Sequence, residues 1–286
     1  MAESRFLTFK ASCKRMVIFL LIQVLYTYID RDRPKWTQNN LPSGNNGEEA
    51  KWCILAPCGI AATDIALSIF NDPNDPNDPR PYIFYADIYS GTIDYATDVL
   101  QDQRGVNVKF VKSSDSSSTT SDLIKAIEDN PPVLVFIEPI TNPYLNIIDI
   151  PAVVQAAHQH GAYVIVDNTF ATPYLFHPLD AGADLVVHSA SKYLGGHNNI
   201  LAGVIGVNDP DLRARLLTHR NMIGSVLSPD DAGRLKTQLM TFPIRLNRQN
   251  ETAIKIAEYL ENHPAISKVR FPGLPSHAGH ILARKI

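Results

Sequence analysis

Between residues 162 and 207 the chain sets short apolar runs directly against polar ends, a pattern that few architectures accept. Y-V-I-V at 163–166 is followed by D-N-T-F-A-T-P-Y, and L-V-V at 185–187 by H-S-A-S-K-Y-L-G-G-H-N-N. Such runs, rich in Val and Ile and without polar alternation, suit strands covered on both faces, as in a parallel sheet. Their polar residues then collect at strand ends, where open α/β sheets hold ligands. Similar runs at 82–85, 106–111 and 133–137 predict further strands, and helical spacing appears at 58–70, 122–129 and 149–160. This β-α-β series predicts an α/β fold with a mostly parallel sheet flanked by helices and right-handed crossovers.

The polar residues at these ends suggest a chemistry. Asp167 follows a buried strand, where a carboxylate is costly unless a cation or hydrogen-bond donor meets it. Lys192 closes a Ser-Ala-Ser-Lys run, with the hydroxyls of Ser189 and Ser191 nearby to hold a phosphate. Pyridoxal phosphate needs this set: an acid opposite its pyridinium nitrogen, an amine for its aldehyde, and a cradle for its phosphate. Each residue alone also fits a plainer role, Asp167 as a turn former or helix cap and Lys192 as a surface charge. Ser189 to Lys192 matches S-x-x-K as well, but the S-D-N and K-T-G strings that accompany that acyl-transfer signature do not occur.

The combination resembles a known family. D-N-T-F-A-T-P at 167–173, G-A-D at 182–184 and H-S-A-S-K-Y-L-G-G-H at 188–197 are similar to the signature of the Cys/Met metabolism, or trans-sulfuration, family of pyridoxal-phosphate enzymes. Its members include cystathionine γ-synthase, cystathionine β- and γ-lyases, methionine γ-lyase and O-acetylhomoserine sulfhydrylase. The resemblance implies the PLP-dependent transferase fold of type I. It implies that Lys192 forms the Schiff base, Asp167 pairs with the pyridinium nitrogen, and Ser189 and Ser191 hold phosphate oxygens. Cys58-Gly59-Ile60 stands where the family has Ser-Gly-Met, so the backbone amides of Gly59 and Ile60 are implied phosphate contacts. Tyr89, in A-D-I-Y-S-G-T, is implied to stack on the cofactor ring and to take part in proton transfer; Asn142, in E-P-I-T-N-P, is implied to bond the cofactor's 3'-oxygen.

The same resemblance sets a substrate class and an architecture. It implies elimination or replacement at the β- or γ-carbon of a sulfur amino acid or O-acylhomoserine, in a homo-oligomer built as a dimer of dimers. The expected organisation is an atypical N-terminal segment at 1–50, a PLP-binding large domain at 51–243 and a partial C-terminal α+β domain at 244–286. Within 245–262, Ile254, Ile256, Ala257 and Leu260 define the apolar stripe of an amphipathic helix. No counterpart of the family's N-terminal Tyr-x-Arg arm or of its substrate-carboxylate arginine is found, so the resemblance is expected to be truncated at both ends. That leaves a second reading, a homologue that binds the cofactor but turns over little.

Composition narrows the field further. With 286 residues, 45% of them hydrophobic, the chain is long enough to bury a large core. A net charge of -3 and a pI near 6.3 argue against a nucleic-acid partner. Three cysteines, Cys13, Cys53 and Cys58, lack metal spacing and suit reduced thiols in a cytoplasmic protein. The apolar run at 16–28 is short for a membrane span and lacks a cleavage site, so no membrane association is expected. N-D-P repeated three times at 71–79 excludes helix and central strand and predicts a surface loop.

Overall fold

A computed structural model describes residues 51–70, 78–113 and 117–285. The apolar run at 16–28 and most of the N-D-P repeat lie outside the described residues. The core is a seven-stranded sheet in the order β1-β7-β6-β5-β4-β2-β3. Its strands are β1 (Trp52–Ala56), β2 (Tyr82–Tyr85), β3 (Val108–Val111), β4 (Leu134–Ile137), β5 (Tyr163–Asp167), β6 (Leu185–Ser189) and β7 (Gly203–Val207). β6-β5-β4-β2-β3 run parallel, while β7 and the edge strand β1 are antiparallel to their neighbours. The parallel strands are the runs read from the sequence, within two residues at their ends. The antiparallel edge carries no comparable sequence signal, because G-V-I-G-V is as apolar as a parallel strand and its direction is set by the turn before it.

Nine helices among the described residues cover the sheet and extend beyond it. They are α1 (Gly59–Ser68), α2 (Ser90–Asp94, continuing as a π-helix over Tyr95–Gln101), α3 (Thr119–Asp129), α4 (Ile150–Gln159), α5 (Thr172–Leu175), α6 (Pro210–Met222), α7 (Pro229–Leu239), α8 (Phe242–Glu261) and α9 (His280–Ala283). Their starts follow local chemistry. Asp149, Asp209 and Ser228 accept hydrogen bonds from first-turn amides of α4, α6 and α7. Pro210 and Pro229 open α6 and α7 at a position whose N-H needs no partner.

Full burial of β2, β4 and β7 explains why their sequences show no alternation. Asp184, in the G-A-D string, ties β5 to the approach of β6 by accepting the Val164 N-H at 2.7 Å and bonding His158 Nε2 at 3.0 Å. A second, smaller core gathers Ala190, Leu194, Leu235, Leu239, Phe242 and Leu246 under α7 and α8. α8 begins at Phe242 and passes through positions 243 and 244 without interruption.

The stripe expected on α8 requires correction. Ile254 and Ile256 are exposed and only Ala257 of that set is buried; Phe242, Pro243 and Leu246 in the first turns carry the rest of the packing. Helical spacing marks a possible apolar face, but burial depends on what packs against it.

Candidate active site

The ends of β2, β4, β5 and β6 meet the N-terminus of α1 at a cleft of about 650 Å³. Gly59, Ile60, Tyr89, Asn142, Asp167, Ser189, Ser191 and Lys192, the residues singled out from the sequence, all line it. Parallel pairing puts equivalent ends of adjacent strands on one side, which is how residues more than a hundred positions apart converge.

Asp167 ends β5 half-buried, and its carboxylate accepts the Thr169 amide at 3.0 Å and the Thr169 hydroxyl at 2.6 Å. The Thr169 oxygen accepts the Ser189 amide at 2.8 Å, so one short relay fixes the ends of β5 and β6 together. Burial pushes the Asp167 carboxyl above its usual range, against the lowering effect of both Thr169 bonds. A cation placed against it would offset that cost.

Ser189 forms a corner with the start of α1. A Cβ on Gly59 would stand 2.7 Å from the Ser189 Cβ and 2.8 Å from its hydroxyl, so only glycine lets the helix approach this closely. Gly203 serves the same approach from beneath, since a Cβ there would collide with the Cys58 carbonyl. Cys58 precedes the helix in extended conformation and its side chain makes no capping bond. The first-turn amides are thereby presented to an anion, with no acidic side chain in that turn to compete.

Lys192 is exposed on the turn after β6, where its N-H donates to the Ser189 carbonyl at 3.1 Å and its carbonyl accepts the Gly196 N-H at 2.7 Å. Buried Ala190 and Leu194 anchor the turn on either side of it. From α8, Arg245 donates to the carbonyls of Tyr193 at 2.9 Å and Leu194 at 3.2 Å. Gly196, at φ +73°, leaves room for that guanidinium. Ser191 lines the cleft, but its hydroxyl accepts the Ala202 N-H at 3.0 Å and donates to the Ala202 carbonyl at 3.3 Å, which commits it partly to the strand behind.

Tyr89 is 49% exposed, and its ring leans over Gly91, where a Cβ would lie 2.6 Å from the ring. Asn142 precedes a cis proline in a turn closed by the Thr141 N-H donating to the Asn146 carbonyl at 2.9 Å. Between these two lies Glu138, 5% exposed, whose Oε1 accepts the Tyr89 N-H at 2.9 Å. Burial, and then the charge of Asp167, push the Glu138 carboxyl up to about 9 despite backbone hydrogen bonds from Tyr89 and Asn142.

Three residues that hold the site were not assigned roles from the sequence. Thr169 has a legible signal, since an Asp side chain commonly closes a local turn by accepting the amide two residues on. Glu138 stands in the quoted E-P-I-T-N-P string, yet its burial beside Asp167 follows only from strand register. Arg245 carries no local signal for this role, because its partners in the Lys192 turn lie more than fifty positions away.

A family model described as Cys/Met metabolism PLP-dependent enzyme matches residues 41–286. Cystathionine β-lyase of Lactococcus lactis subsp. cremoris (strain MG1363) is 37% identical over 227 residues, 79% of this chain and 57% of that protein. Cystathionine γ-synthase of Mycobacterium leprae (strain TN) is 38% identical over 238 residues, 83% of this chain and 58% of that protein. Among solved structures, cystathionine γ-synthase from Xanthomonas oryzae pv. oryzae, in complex with aminoacrylate and cysteine, superposes with a TM-score of 0.75 at 32% identity, covering 82% of this chain and 58% of that one. The chain spans little more than half the length of these relatives. With the family match over most of its length, the chain belongs to the Cys/Met metabolism family of PLP-dependent enzymes.

Proposed function

We propose that the chain binds pyridoxal phosphate in this cleft and carries out elimination or replacement at the β- or γ-carbon of a sulfur amino acid or O-acylhomoserine. The observation that carries this reading is the meeting, in one cleft, of Asp167, Lys192 and the uncapped first turn of α1 pressed against Ser189. These residues fit the group: the Gly59 corner leaves amides and a hydroxyl for a phosphate, and desolvated Asp167 calls for a cationic partner.

When bound, the cofactor supplies an aldehyde for amino groups and a protonated ring that accepts carbanion charge. Asp167, oriented by Thr169, holds the proton on that ring nitrogen. Lys192 Nζ would supply the amine that anchors the group and the base that moves a proton at the substrate's α-carbon. Tyr89, exposed over the cleft, offers a face for stacking and a hydroxyl for a second proton. Gly59, Ile60 and Ser189 would hold the phosphate, with a lesser part for Ser191, and Asn142 would bond the 3'-oxygen.

The same reading makes the protein a homo-oligomer, supported by exposed apolar side chains such as Met222, Ile244 and Tyr259 on α6 and α8. It makes the protein cytoplasmic, supported by Cys58 remaining a thiol. No helix among the described residues is long and apolar enough to cross a membrane.

The visible spectrum of the full chain with pyridoxal phosphate tests the reading. A new absorption band is expected, and it should shift on addition of one of cystathionine, methionine or O-acetylhomoserine; a spectrum identical to the free cofactor contradicts it.

A further inference from the structure

Glu138 is a buried carboxyl at the cleft for which the reaction just described has no use. It is the first residue past β4, and the β4-β5 register, which pairs Ile137 with Val166, carries the next residues, Glu138 and Asp167, side by side. Adjacent strands lie about 5 Å apart, so two carboxyls stand at one level of the sheet. Their surroundings differ. Asp167 borders the cleft and is served by Thr169. Glu138 is nearly inaccessible, and its Oε1 receives the Tyr89 N-H at 2.9 Å.

We propose that Glu138 is a positioning residue that stays protonated beside Asp167 and fixes the Tyr89 and Asn142 loops, so that the cleft presents a single carboxylate. The inference rests on the proposed cofactor role of Asp167 for its purpose, but not for the state of Glu138 itself. Two adjacent desolvated carboxylates cannot both ionise cheaply; Glu138 is 5% exposed, whereas Asp167 opens on the cleft and accepts both Thr169 bonds, so the proton rests on Glu138. Asp167 on β5 is the charge that acts on Glu138; Cys58, Tyr89, Lys192 and Tyr193 are the other titratable side chains lining the cleft.

The consequence for stability has a definite sign. Burial and Asp167 raise the Glu138 carboxyl to about 9 in the folded chain, well above its unfolded value. Its contribution is therefore fully present below the unfolded value and is lost as pH rises towards 9. Glu138→Gln keeps the accepting oxygen without an ionisable proton and removes that loss. Glu138→Ala removes the oxygen as well.

The test uses the full chain as wild type, Glu138→Gln and Glu138→Ala. Infrared spectra in H2O and D2O at neutral pH should show a buried carboxylic-acid stretch in wild type that is missing in both variants. Denaturant titrations without cofactor should show the wild-type folding equilibrium falling at least about tenfold relative to Glu138→Gln between pH 5 and 8. Pyridoxal phosphate should bind Glu138→Gln about as well as wild type, and Glu138→Ala at least about tenfold more weakly, because Tyr89 loses its anchor. If a variant does not fold, the wild-type infrared band decides by itself: it must disappear on titration near pH 9. No such band, or parallel pH profiles for wild type and Glu138→Gln, overturns the proposal. The infrared and denaturation readouts need no cofactor, so they separate failure of this inference from failure of the proposed function.

Discussion

Lys192→Ala is expected to lower turnover of the preferred amino acid by about a thousandfold or more, within the range lost when a positioned proton-transfer group is removed. The loss should fall on kcat, because the proposed mechanism has Lys192 act on the reacting atoms, while the proposed phosphate corner at Gly59 and Ser189 is untouched. Folding should barely change. The lysine side chain is exposed, and the turn is held by backbone bonds, by buried Ala190 and Leu194, and by Arg245. Unfolding free energy is accordingly expected to stay within about 0.5 kcal/mol of wild type. A small primary amine added to the variant should restore part of the rate, which a merely structural lesion would not allow. Steady-state kinetics with and without the amine, beside a denaturation curve, check all three statements.

Asp167→Asn is expected to cost about a hundredfold or more in kcat, comparable to losing one preorganised electrostatic contact in an active site. Asparagine retains an oxygen for Thr169 but cannot balance a protonated ring. The cofactor-free protein should respond in the opposite direction. Burial raises the Asp167 carboxyl, so its contribution to stability is lost as pH rises through its folded value. Asparagine has no ionisable group and escapes that pH-dependent loss. The variant should thus unfold later than wild type without cofactor and gain less from adding it. Thermal denaturation at pH 7 with and without pyridoxal phosphate measures both effects, and stability exchanged for function in this way is common at active sites.

Much of the fold and of the cleft is legible in the order of residues alone. Fully buried parallel strands leave uninterrupted apolar runs, and their polar ends mark Asp167, Ser189 and Lys192. Family-like strings place Gly59, Tyr89 and Asn142, and all of them reach the same cleft. What the sequence hides is non-local. The reversed direction of β7 depends on the turn that precedes it, and the burial of Glu138 depends on which residue the β4-β5 register sets next to Asp167. Arg245 supports the Lys192 turn from a different helix. The exposed isoleucines of α8 show the converse limit, since a helical period records a potential face without recording its partner.

The central claim is that Lys192 is the amine this cleft offers to pyridoxal phosphate. It is tested most directly by incubating the full chain with the cofactor, reducing with borohydride and mapping the modified peptides by mass spectrometry. The account predicts a stoichiometric pyridoxyl label on the peptide containing Lys192 and on no other lysine. A label spread over surface lysines, or a reduced protein without any label, would contradict it.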